Sequence, residues 1–145
     1  MKNNRYYHLS EGKITLPDNY IDRTINTIID KNSIMPAINI SRDKLGYNQL
    51  LTDYITQQYQ QLIPKLSGWK EEPRTPAYLG AGRLQGTEVT FSFLRQPEQR
   101  LWQKQAIFVL EDNDVLIFSL SKSTEFDEQD KIMLDNLLQS FTPHD

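Results

Sequence analysis

The chain has 145 residues, 38% of them hydrophobic and 24% charged, with a formal net charge of -3, which suits one domain with its own core and is too short for two. The acidic balance, unbroken by any basic run, excludes nucleic acid and anionic membrane as electrostatic partners. The absence of cysteine excludes disulfides and thiolate chemistry.

The opening MKNNRYYHLSEGK contains no apolar run of the about seven residues that a signal peptide requires. No segment approaches the roughly 20 apolar residues that span a bilayer. The expectation is a cytoplasmic protein that does not itself insert into membrane.

In chain order, YYHLSEGKITLP (6–17) reads as a hairpin turning at Ser10-Glu11-Gly12. IDRTINTIID (21–30) follows as a strand and, after the loop KNSIMP, PAINIS (36–41) as another, with Ile38 and Ile40 on one face. Between residues 47 and 66 the period changes. Tyr47, Leu50, Leu51, Tyr54, Ile55, Tyr59, Leu62, Ile63 and Leu66 form the stripe of an amphipathic helix. Pro64 should kink or end it, with Gly68 as a stop signal.

AYLGAGRLQG (77–86) is then a strand and turn, and TEVTFSFLRQ, LWQKQAIFVL and VLIFSLS make a three-strand meander, the last two joined by the tight turn EDND. STEFDEQDKIMLDNLLQSF (123–141) closes the chain as a helix, acidic at its start and with Met133, Leu134, Leu137, Leu138 and Phe141 on one stripe. The predicted class is α+β, an antiparallel β-sheet with two main helices packed on one face.

Chemistry-bearing motifs are scarce. His8 and His144 are the only histidines and do not converge on a metal site or a nucleophile triad. GAGRLQG leads into a strand, whereas a phosphate-binding loop leads into a helix. EDND lacks the spacing and distal glutamate of a calcium loop. Glu71, Glu72, Glu88, Glu111 and Glu125 pair with no visible base or nucleophile. The expectation is a binding protein, not an enzyme, with no cofactor and no metal.

The meander raises a different question. At strand period LWQKQAIFVL splits into two rows and neither is plainly the solvated one. The bulky row Val89, Phe91, Phe93 with Ala106, Phe108, Leu110 is the natural one for the helices to cover. The reverse row would hold Leu94, Gln103, Gln105, Ile107, Val109, Val115 and Ile117. Either a second copy or a third layer covers that apolar surface, or it is a binding site, because monomers rarely leave several hundred Å² of apolar surface bare.

The run YYHLSEGKITLPDNYIDRTIN, the helix-meander-helix order and the ending FDEQDKIMLDNLLQSF together resemble the DcrB-like family, and within it the effector-associated (Eag) chaperones of bacterial type VI secretion. The likeness spans residues 1–145 as a single DcrB-like chaperone domain. It implies a Mog1/PsbP-like fold, a homodimer, and the task of shielding the N-terminal transmembrane helices of an effector, typically with a PAAR domain and often an Rhs shell, before loading onto the secretion spike. It also implies a groove at Ile25, Thr27, Leu62 and Leu94, beside Ile107 of the reverse row. Shielding ~1,000 Å² of such a helix offers on the order of 25 kcal/mol gross, before association costs. Gln103 and Gln105 would satisfy polar groups of the client there. Gln58, within or beside the helix stripe, is either a further contact or an ordinary border residue. The competing reading is an interaction module of the same wider fold that binds a soluble partner through charged surface.

Overall fold

The computed structural model describes residues 5–96 and 98–144. Chain order is β1 (Tyr6–His8), β2 (Lys13–Thr15), β3 (Asn26–Ile28), β4 (Ala37–Lys44), α1 (Leu51–Leu62), β5 (Ser67–Glu71), β6 (Thr75–Leu79), β7 (Leu84–Gln96), β8 (Gln99–Val109), β9 (Asp114–Lys122) and α2 (Glu128–Gln139). β1 and β2 form the expected hairpin, Tyr6 opposite Thr15. The other seven strands make one antiparallel sheet in the order β3-β4-β9-β8-β7-β5, with β6 also paired to β7. β5 and β6 lie end to end along β7, Glu71 opposite Phe91 and Thr75 opposite Glu88. Pro73 in the break between them and Pro76 within β6 have no N–H to offer a further strand. The class is α+β with an antiparallel sheet, as expected.

Three expected elements shrink or shift for local reasons. The strand expected over 21–30 is reduced to β3, an edge strand that among the described residues pairs only with β4. Just beyond it the Asp30 carboxylate accepts the N–H groups of Met35, Asn32 and Ile34, which turns the chain into a loop and holds the carboxyl below its usual range. The helix expected over 47–66 begins at Leu51, because Asn48 adopts a left-handed φ of 56° in a turn closed by Gln49 N–H on Gly46 O. Tyr47 therefore stays 93% exposed. After Leu62 the chain tightens into a 3-10 turn at Ile63–Lys65, where Pro64 is accepted in the first turn. Gly68 does not stop a helix; at φ 64° it forms an irregularity in β5, where a Cβ would stand 2.8 Å from the Leu94 side chain.

The expectation of both helices on one face is overturned. Ala106 and Phe108 are buried with Leu134 and Leu138 of α2, whereas Ile107, between them, is buried with Tyr54, Ile55 and Tyr59 of α1. Neighbouring residues of a strand point to opposite sides, so α1 and α2 cover opposite faces. The row assignment changes with it. Val89 lies opposite Gln105 and Phe91 opposite Gln103, so Val89, Phe91 and Phe93 share their face with Leu101, Gln103, Gln105 and Ile107, not with Ala106, Phe108 and Leu110. The hairpin turn sets this register, and one residue of slip exchanges the two faces.

Gly86 helps hold the register. A Cβ there would lie 2.2 Å from the Ile107 carbonyl and 2.5 Å from the Phe108 ring, so the ring occupies room that only glycine leaves open. Gly86→Ala is expected to destabilise the fold by about 3 kcal/mol, read from urea unfolding; a loss below about 1 kcal/mol would mean that the sheet yields at this point.

α2 starts at a capping box. Asp127 accepts the Asp130 N–H at 3.0 Å and Asp130 accepts the Asp127 N–H at 2.9 Å. The buried Asp130 carboxylate also takes Lys122 Nζ at 2.7 Å. That hydrogen bond is the main reason the lysine holds its proton above its usual range. A second carboxylate buried on the same face, Glu88, receives Lys131 of α2 at 2.7 Å and Lys104 of β8 at 3.1 Å.

Candidate functional site

α1 is drawn toward the β5–β7 side of its face. Tyr59 meets Trp69 and Phe91 edge-on at 5.1 and 5.7 Å, and Trp69 stacks on Phe91 at 4.7 Å. Arg74 donates to Thr52 O at 3.3 Å and Thr56 Oγ1 at 3.0 Å, with its guanidinium 5.4 Å from the Tyr59 ring centre. Burial raises the Tyr59 hydroxyl to about 12, with Glu71 adding and Arg74 opposing. At the other end of α1, Tyr54 Oη donates to Asp43 Oδ2 of β4 at 2.7 Å. Its pKa is pushed well above the ordinary range, by burial first and by that carboxylate second. The helix thus crosses the sheet obliquely from Asp43 to Trp69.

Among the described residues, that slant leaves part of the face outside the cluster packed with α1. One row of paired residues runs Thr27, Asn39, Ser119, Gln105, and ends beneath α1 at Val89. The adjacent row runs Ala37, Ser121, Gln103, and ends at Phe91. Asn39, Ser119, Ser121, Gln103 and Gln105 are half-buried and Thr27 is exposed. The floor is therefore built of small or uncharged hydrogen-bonding side chains, not of the aliphatic surface expected from the sequence. Val115 and Ile107, assigned to that open surface, are roofed by α1.

Where α1 meets this floor there is a cavity of about 250 Å³, and Gln58, Leu62, Gln105 and Ile107 all line it, together with Ser41, Asp43, Tyr54 and Ile117. Four of the eight predicted site residues converge there. Ile107 is only 3% exposed and serves as its base. Gln103 stands one row further along the same face, and Thr27 at the outer end of the Gln105 row. Ile25 precedes β3 and is 63% exposed. Leu94 is misplaced: it pairs with Arg100 one residue out of phase with Phe93, so it belongs to the α2 side.

Sequence reasoning missed Asn39, Ser119 and Ser121. Their signal was the alternation in AINIS and IFSLS, which by itself reads as an ordinary solvated strand face. A further apolar group lies at the β3 edge, where Ile25, Ile28, Ile29 and Ile34 are all exposed. Among the described residues the outer backbone edge of β3 has no partner strand.

No helix among the described residues is long and apolar enough to cross a membrane, and no group of His, Asp and Glu among them is placed to hold a metal ion.

The arrangement, an antiparallel sheet with one helix on each face, recurs over nearly the whole length of a solved protein. The crystal structure of PA94 from Pseudomonas aeruginosa, a protein of unknown function described only as a candidate regulator, matches with a TM-score of 0.66 over 99% of each chain at 20% identity. No curated protein matches the chain. The DcrB family model matches residues 11–140, and the chain belongs to the DcrB family.

Proposed function

We propose that this DcrB-family protein is a cytoplasmic chaperone of bacterial type VI secretion. It binds the N-terminal transmembrane helices of a cognate effector of the PAAR or Rhs kind and keeps them from water until loading. The observation that carries this reading is the open floor beside α1. Alanine and serine at 37, 119 and 121 let a helix approach closely, as small residues do between helices in membranes. Gln58, Gln103 and Gln105 can pair with client hydroxyls or carbonyls, which water would otherwise satisfy. Leu62 and the exposed Ile25 supply aliphatic contact at the two sides. The protein acts by binding, without catalysis or cofactor.

It works as a homodimer in this reading. The edge of β3, unpaired among the described residues, and the exposed isoleucines beside it suit a two-fold contact with a second copy, which would join two open floors into one longer trough.

Co-expression with the hydrophobic N-terminal segment of an effector encoded beside it should give a soluble complex that disappears when the segment is deleted. A segment equally insoluble with and without this protein overturns the proposal. Gln103→Ala combined with Gln105→Ala should lower client recovery and leave the melting temperature unchanged; an equal loss of fold stability would mean that the two glutamines are structural only. The polar character of the floor favours one other reading, a module that docks a soluble partner. A complex formed with a soluble client domain lacking the hydrophobic segment would establish that reading instead.

A further inference from the structure

We propose that the end of the molecule formed by the β8–β9 tip binds a cationic peptide segment of a partner protein, one that carries apolar side chains flanked by lysine or arginine. This site is separate from the open floor beside α1 and does not depend on the function proposed for it. Three connections meet there: the β6–β7 turn at residues 80–83, the β8–β9 tip at 110–114, and the segment after α2 at 141–144. They border an open depression of about 960 Å³, at the upper end of the usual ligand-site range of ~300–1,000 Å³.

Its apolar lining comes from Leu84, which is 41% exposed, and from the half-buried Val109, Leu110 and Phe141. Gly80 makes this possible. Its φ of 71° turns the chain, its N–H donates to Leu138 O at 2.8 Å, and a Cβ there would stand 3.0 Å from the Phe141 carbonyl. The end of α2 and the β6–β7 turn are thereby drawn together.

Charge decides the occupant. Glu111, Asp112 and Asp114 line the cavity and no lysine or arginine does. Asp114 is neutralised by Lys44 at 3.1 Å, but the carboxylates of Glu111 and Asp112 are in no ion pair among the described residues. Asp112 and Asn113 both hold left-handed φ angles, 59° and 62°, so two uncompensated negative charges are carried on a tight, exposed turn. A nucleic acid or an anionic surface is repelled by them. A divalent ion lacks a ligand set, since no suitable group of His, Asp and Glu exists among the described residues. A small organic cation would lack orientation, because no buried polar side chain among the described residues converges on the cavity. A peptide in which leucine-like side chains enter between the loops and flanking cations reach Glu111 and Asp112 satisfies both the apolar lining and the charge.

The test titrates the full-length protein into a fluorescein-labelled octapeptide of leucines flanked by lysines, followed by anisotropy. Two controls replace lysine by glutamate or leucine by serine. The expected result is saturable binding of the first peptide only. It should be weakened about tenfold or more by Glu111→Lys combined with Asp112→Lys, and several-fold by raising salt from about 50 to about 300 mM. Leu84→Ser should weaken it separately, and amide NMR shifts on binding should map to the three connections. The proposal is overturned if the glutamate peptide binds as well, if the charge-reversed protein keeps its affinity, or if the shifts map to the β4, β8 and β9 floor beside α1. It is equally overturned if the charge reversal changes self-association in sedimentation without affecting peptide binding, which would make a second copy the occupant.

Discussion

Glu88→Ala is expected to lower the unfolding free energy by about 3–5 kcal/mol, the range for removing one partner of a buried ion pair. Glu88 is 4% exposed and lies between two cations. Its Oε2 is 2.7 Å from Lys131 Nζ, and its Oε1 is 3.1 Å from Lys104 Nζ, close enough for an ion pair though not aligned as a hydrogen bond. The Lys131 side chain is nearly half exposed, so that contact is screened by water and adds little. The cost arises at Lys104, whose side chain is 12% exposed and whose one hydrogen-bond partner among the described residues would be Thr90 Oγ1, at 2.9 Å. With only a neutral hydroxyl and the Phe126 ring, 5.6 Å from its ammonium, left to face it, the charge must be rehydrated or give up its proton. Urea unfolding of Glu88→Ala measures the loss, and Glu88→Leu combined with Lys104→Met should recover most of it by removing both charges together. A single-mutant loss below about 1 kcal/mol would show that water reaches Lys104 and that the pair behaves as a surface contact.

Ser119→Glu is expected to abolish client recovery, by about a hundredfold or more, while leaving the fold intact. Ser119 lies in the middle of the open floor, between Asn39 and Gln105, half-buried and outside the set of residues that line the cavity under α1. Without client, a glutamate there extends into water at little cost. With an apolar helix laid on the floor, its carboxylate would be buried without a partner, a penalty of several kcal/mol, and each 1.4 kcal/mol is a factor of ten in affinity. Ser119→Ala is the control and should bind nearly as well as the parent. Co-purification with the hydrophobic effector segment reads both variants. If Ser119→Glu recovers client at the parental level, the floor does not hold the helix.

The periodic elements were legible in the sequence and the relation between the faces was not. The stripe Tyr54, Ile55, Tyr59 fixed α1, and the acidic opening of α2 matched the capping box that Asp127 and Asp130 form. Tyr47 and Leu50 fit the same stripe and were lost from it only because Asn48 turns left-handed, a choice that hydrophobic period does not encode. Which row of β7 shares a face with which row of β8 depends on the turn between them, and misjudging that register brought both helices to one side and Leu94 into the site. Gln58 and Gln105 could be singled out because amides stood where apolar residues were expected. Asn39, Ser119 and Ser121 could not, since serine and asparagine alternate on any solvated strand. Their role follows only from the slant of α1, which Arg74 and the Tyr59–Trp69–Phe91 cluster impose from the far edge.

The two borders of the main sheet are unlike. On one, β5 and β6 are interrupted, with a left-handed glycine at 68 and prolines at 73 and 76, so an incoming strand finds no continuous ladder. On the other, the three-residue β3 has no partner on its outer side among the described residues. In the dimer proposed above, each joining event uses the β3 border of both participants, so the main sheet is lengthened once and then stops. Under that proposal, growth of the main sheet into fibres, the hazard of any bare edge, is closed off while pairing in twos is kept.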